Sequence, residues 1–121
     1  MSQTNFEKLE IYQLAERLSD MVWTVALQWD GLAKHTVAPQ VVRSVDSIGD
    51  KDYLRFLKIS RGSLYETKHW LRLAFSRKLL SETQIKELKP VVDELTPKLN
   101  SYIRVVSKTK PKGQSPKTEA P

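Results

Sequence analysis

The sequence predicts an all-α protein, an antiparallel up-and-down four-helix bundle that is oligomeric. Three observations carry the prediction. Apolar residues recur at spacings of three and four along most of the chain, and no stretch alternates with the period of two that a strand requires. Glycine and proline are sparse before the tail, and Gly31, Pro39 and Gly49 sit near plausible helix ends. The connections between periodic segments are short, which favours neighbouring helices of opposite direction.

The first helix is expected from about Glu7 to Gln28, where Ile11, Leu14, Leu18, Met21, Val22 and Val25 form one apolar stripe. "WDGLAKH" closes it, with Gly31 as the terminator. A second helix is expected from about Thr36 to Ile48. Thr36 can cap it, Pro39 lies in the first turn where a missing N–H costs nothing, and Val37, Val41, Val45 and Ile48 form its stripe. Gly49 ends it, and Asp50 can cap the next.

The third helix is expected from about Lys51 to Lys78. Ser81 and Gln84 then make the S-x-x-Q capping box that opens the fourth. The fourth carries Ile85, Leu88, Val92, Leu95, Leu99, Tyr102 and Val106, with Pro90 and Pro97 inside it, where bends are expected. At 1.5 Å per residue the third helix spans about 40 Å and the second only about 20 Å, so part of the third must meet something besides the second.

The bundle domain is read as residues 1–106 and the remainder, 107–121, as a disordered basic tail. That tail, "SKTKPKGQSPKTEAP", sets four lysines against one acid, a net +3 and half of the chain's +6. A pI near 9.6 favours acidic partners, nucleic acid above all.

The third helix has two apolar sides. Tyr53, Leu57, Leu64, Leu71 and Phe75 fall within about 40° of one direction and read as the core stripe, while Ile59, Trp70 and Leu73 point the other way. The first helix repeats this, with Tyr12, Trp23 and Leu27 opposite Leu14, Met21 and Val25. Two opposed apolar sets on two helices predict a subunit interface formed by Tyr12, Trp23, Leu27, Ile59, Trp70 and Leu73.

Between the two faces of the third helix runs a basic strip: Lys51, Arg55, Lys58, His69 and Arg72, with Tyr65 among them. A flat aromatic amid cations suits a phosphate backbone carrying an unstacked base, as in single-stranded RNA. The competing reading is a solvated face, with Glu66 and Asp52 close enough to neutralise part of it. Gly62 and Ser63 are weak helix formers in mid-helix, and close packing of another helix is the reading of their small size.

Catalysis finds little support: Glu66 and His69, three apart, could pair on one helix face, but a surface salt contact explains that better. The absence of cysteine excludes disulfides, thiolate zinc sites and thiol nucleophiles. His35 and His69 are the only histidines, and neither stands at metal-ligand spacing. No glycine-rich phosphate loop occurs. The expectation is therefore a protein that is not an enzyme and has no catalytic residues, cofactor or metal. No secretory signal and no apolar run of about 18 residues is present, so a cytoplasmic protein without membrane contact is expected.

The segments "FEKLEIYQLAERL", "VVRSVDSIG", "RFLKISRGSLYETKHWLRLA" and "LLSETQIKELKPVVDELTPKLNSYI" together resemble the four-helix-bundle family also called the 23S rRNA intervening-sequence proteins. The resemblance covers about Phe6 to Val106, and its most specific piece is "RGSLYE". It implies antiparallel bundles that assemble as rings of five and have no established catalytic activity. It also implies a relationship to the accessory protein of diversity-generating retroelements, which binds a reverse transcriptase and its RNA. The chain departs from the family where Ile48-Gly49 passes straight to Asp50-Lys51-Asp52. Family members usually continue there into an Asn-Ile-Ala-Glu-Gly segment and a basic, glycine-rich loop, so no role of that loop carries over.

The leading expectation is a non-enzymatic oligomeric module, a pentamer by resemblance, that binds RNA or a ribonucleoprotein. The alternative is a protein-interaction scaffold, for example an accessory subunit of a retroelement reverse transcriptase. A structural remnant of a mobile element, with no partner, is a third.

Overall fold

A computed structural model of the chain describes residues 3–49 and 54–108, with side chains from residue 6 onward and excepting those of residues 54–57. The described residues are helical and contain no strand. Among the described residues there are four longer helices, α1 (Gln3–Ala26), α3 (Val37–Ile48), α4 (Leu54–Ser76) and α5 (Glu82–Lys108), with a short helix, α2 (Gly31–His35), between α1 and α3. Helix α1 packs against α3 and α5, and α4 packs against the same two, so α3 and α5 separate α1 from α4.

The core follows the stripes that periodicity predicts. Leu18 of α1, Val41 of α3, and Leu95 and Leu99 of α5 are fully buried, and Leu64 of α4 is 1% exposed. Burying each such side chain is worth about 1.5–3 kcal/mol. Among the described residues Ser60 Oγ is buried without a hydrogen-bond partner, while the buried hydroxyls of Ser44 and Thr67 are satisfied. The Thr67 hydroxyl is shared between Ser44 Oγ at 3.0 Å and the Ser63 carbonyl at 2.8 Å, and Ser44 Oγ donates to the Val41 carbonyl at 3.1 Å. This hydroxyl pair ties α3 to α4. At the other end of α3, a Cβ built on Gly49 would stand 3.0 Å from Ala15 Cβ, so α1 and α3 approach closely there.

The helix ends show which signals were local. The capping box forms as predicted: the Gln84 amide donates to Ser81 Oγ at 3.1 Å, and the Ser81 amide donates to Gln84 Oε1 at 2.9 Å. Helix α4 ends in a Schellman motif, with Leu79 N–H on the Ala74 carbonyl at 2.8 Å and Lys78 N–H on the Phe75 carbonyl at 3.0 Å. Lys78 occupies the left-handed position at φ 63°, where glycine is usual. Pro90 and Pro97 lie within one continuous helix, and both are exposed. The carbonyls they leave without a helical donor therefore face water rather than the core.

Four expectations are corrected. Gly31 does not terminate α1, which ends at Ala26; it opens α2 with φ 59°. The reason is Trp29, which turns back into the core at 8% exposure and needs the chain to leave the helix before it. Thr36 does not cap α3 through its side chain, because α2 precedes it and its hydroxyl donates backwards to the Leu32 carbonyl at 2.7 Å. Phe75 is not core: it is 46% exposed. The buried line of α4 runs through Ser60, Leu64, Thr67, Leu71 and Ala74, and Phe75 falls to the flank of that line. Gly62 receives no close neighbour, since a Cβ there would meet nothing within 4 Å. The expected cap Asp50, the core residues Tyr53 and Leu57, the neutralising Asp52 and the disordered tail at 109–121 lie outside the described backbone or side chains. Helix α5 itself runs to Lys108, two residues past Val106.

With 23 residues in α4 against 12 in α3, their lengths are about 35 and 18 Å. Some of the outer surface of α4 thus has no neighbour from α3, and there the candidate site lies.

Candidate nucleic-acid interface

The core line of α4 fixes its outer face. With Leu64 and Leu71 turned inward, Lys58, Arg61, Tyr65, Lys68 and Arg72 fall on the flank toward α5, at steps of three and four. Lys58 and Arg72 are exposed, Tyr65 is 48% exposed, and Arg61 and Lys68 are half-buried. The strip from Lys58 to Arg72 is about 21 Å long.

Tyr65 is held from two sides. The Lys68 ammonium stands 5.6 Å from its ring centroid, and Asn100 Nδ2 of α5 donates to its hydroxyl at 3.4 Å. The ring is thereby kept as a flat, half-exposed plate beside a cation. Among the described residues no carboxylate pairs with Arg61, Lys68 or Arg72; the ion pairs Lys89–Asp93 and Lys98–Glu10 lie elsewhere.

Of the predicted strip, the structure brings Lys58, Tyr65 and Arg72 together on this flank. His69 is exposed beside them, but its ring contacts Trp70 edge-on, at 5.2 Å and 68°. Lys51 and the side chain of Arg55 lie outside the described residues. Glu66 accepts from Trp70 Nε1 at 3.3 Å, on the flank away from Arg72, instead of neutralising the strip or pairing with His69. Arg61, Lys68 and Asn100 are additional members. The first two share the helical phase of Tyr65 and could have been read from spacing, whereas Asn100 is thirty-five residues distant and needs the placement of α5.

The predicted interface residues divide into two separate patches. On α1 Trp23 is 55% exposed and Tyr12 half-buried, and Leu27, in the turn just after α1, is 66% exposed. On α4, Ile59 is 54% exposed and Trp70 and Leu73 are half-buried. Among the described residues there is no cluster of side chains suited to hold a metal ion, and no helix is long and apolar enough to cross a membrane.

The family model of the 23S rRNA-intervening sequence protein matches residues 7–101. The chain belongs to this family. No curated protein matches it. Within this 23S rRNA-intervening sequence protein family member, the matched segment takes in both apolar patches, the whole α4 strip and Asn100, and leaves out the lysine-rich end of the chain.

Proposed function

We propose that this protein is a non-enzymatic RNA-binding module whose α4 strip contacts a single-stranded or looped RNA backbone. The observation that carries the reading is Tyr65, a half-exposed ring fixed between Lys68 and Asn100, beside Arg61 and Arg72, which pair with no carboxylate among the described residues. An unstacked base gains about 1–3 kcal/mol on an aromatic face, and neighbouring cations neutralise its phosphates. A solvated face would not require the ring to be held. The helices run up and down in antiparallel order, and the protein assembles as a homo-oligomer, a ring of five by family resemblance, through the Trp23 and Trp70 patches. Such a ring repeats the strip, so weak contacts add through multivalency.

The test is titration of a fluorescent single-stranded RNA at two salt concentrations. Lys58→Glu with Arg61→Glu should weaken binding at least about tenfold and lower the salt slope by about 1.4, since each phosphate contact to a single strand contributes about 0.7. Tyr65→Ala should weaken it without changing the slope. RNA binding that survives the double reversal, or that salt does not weaken, overturns the assignment. Light scattering that returns 13.9 kDa at micromolar concentration overturns the oligomer.

A further inference from the structure

At its Arg72 end the strip gives way to a different kind of surface. Between the last turns of α4 and the first turns of α5 lies an open slot of about 260 Å³, floored by Leu71 and Leu88 and walled by Phe75, with Lys68, Arg72 and Lys89 at its rim. Leu71 and Leu88 are buried at 8% and 3%, but nearly half of Phe75 stands in water, which is costly for so large an apolar ring. On the rim, Lys89 is paired with Asp93 at 2.6 Å, and Lys68 lies over Tyr65. Arg72 has no carboxylate among the described residues.

We infer that this slot docks an acidic amphipathic helix of a partner protein, inserting one leucine or phenylalanine against Phe75 and presenting carboxylates to Arg72 and Lys68. Charge complementarity selects the occupant. The floor carries no hydrogen-bonding side chain, so a nucleobase buried there would leave its polar edge unsatisfied, whereas an aliphatic or phenyl group loses nothing. The lysine-rich end of this chain has the wrong charge for a cationic rim and offers no large apolar residue. A helix presenting apolar residues at i, i+4 and i+7 with glutamates alongside supplies both requirements.

The probe is a fluorescein-labelled synthetic helix of that pattern, leucines flanked by glutamates, added to the full chain and followed by anisotropy. Saturable binding at or below about 100 µM is expected, weaker in high salt. Phe75→Asp should weaken it at least about tenfold and Phe75→Ala by less, with circular dichroism showing both variants folded. A peptide with lysine for glutamate, or serine for leucine, should lose about as much. Lys58→Glu with Arg61→Glu, which tests the RNA reading, should leave peptide affinity within about twofold, so the two readings fail separately. Three results overturn the inference: no saturable binding, equal binding by Phe75→Asp, or a fall in parent mass in Phe75→Asp, which would show that a second copy fills the slot. Loss of RNA affinity in Phe75→Asp without peptide binding by the parent would assign the slot to RNA and overturn it equally.

Discussion

The indole N–H of Trp29 donates to the Leu79 carbonyl at 2.9 Å, joining the segment after α1 to the turn that ends α4. One side chain thus supplies buried apolar area and a hydrogen bond to two elements that are distant in sequence. Trp29→Phe keeps most of the area but strands the carbonyl, at a cost of about 1 kcal/mol, while Trp29→Ala should cost about 3–5 kcal/mol. Urea unfolding of both variants checks this. Equal midpoints for the two would show that the hydrogen bond carries the link and the packing does not.

The same turn holds Lys78 at φ 63°, a conformation that costs a residue with a Cβ about 1–2 kcal/mol. Lys78→Gly should therefore raise stability by about 1 kcal/mol, a gain of several degrees in melting temperature. Lys78→Ala serves as the control, because it removes the charge and keeps the Cβ. A gain with alanine as large as with glycine would trace the effect to charge.

Leu64 lies on the buried line of α4 and half-buried Trp70 about 120° around the helix from it, so the two should separate folding from assembly. Leu64→Ala removes a side chain that is 1% exposed and should lower protomer stability by about 2–5 kcal/mol. Trp70→Ala should lower the mass in solution at a given concentration more than it lowers the melting temperature of the protomer. Melting curves combined with light scattering decide between these, and parallel losses in both variants would mean that the two positions are misassigned.

Gly62 has open space around the position of a Cβ, so Gly62→Ala meets no steric cost within the protomer and should stabilise α4 by about 1 kcal/mol. Thermal unfolding reads that gain directly. If the variant instead loses mass by sedimentation, a neighbouring copy approaches at Gly62, and the glycine is explained by contact between subunits.

Short-range features were legible in the sequence. Ser81 and Gln84 close a box within one turn, and the inward positions of Leu18, Val41, Leu64 and Leu95 follow from periodicity alone. The failures share a different cause. A stop and a cap are the commonest local roles of Gly31 and Thr36, but Gly31 opens α2 and Thr36 follows its last residue. Phe75 lies on the flank of a buried line that turns on small residues, Ser60, Thr67 and Ala74, and a search for large apolar residues misses such a line. The site was half legible for the same reason. Phase along α4 yields Lys58, Tyr65 and Arg72, whereas the contact of Asn100 with Tyr65 depends on how α5 lies across it.

The separation of α1 from α4 by α3 and α5 has a consequence for symmetry. A twofold axis joins a surface to itself, so it would pair Trp23 with Trp23, or Trp70 with Trp70, and leave the other patch wet. Joining the unlike patches repeats one rotation from copy to copy, and the succession either returns to its first member, with odd numbers as accessible as even ones, or runs on as a fibre. Closure then depends on the angle between two sides of a single subunit. A change that tilts α1, such as alanine at Gly49 pressing on Ala15 across 3.0 Å, would alter the number of copies without touching either patch.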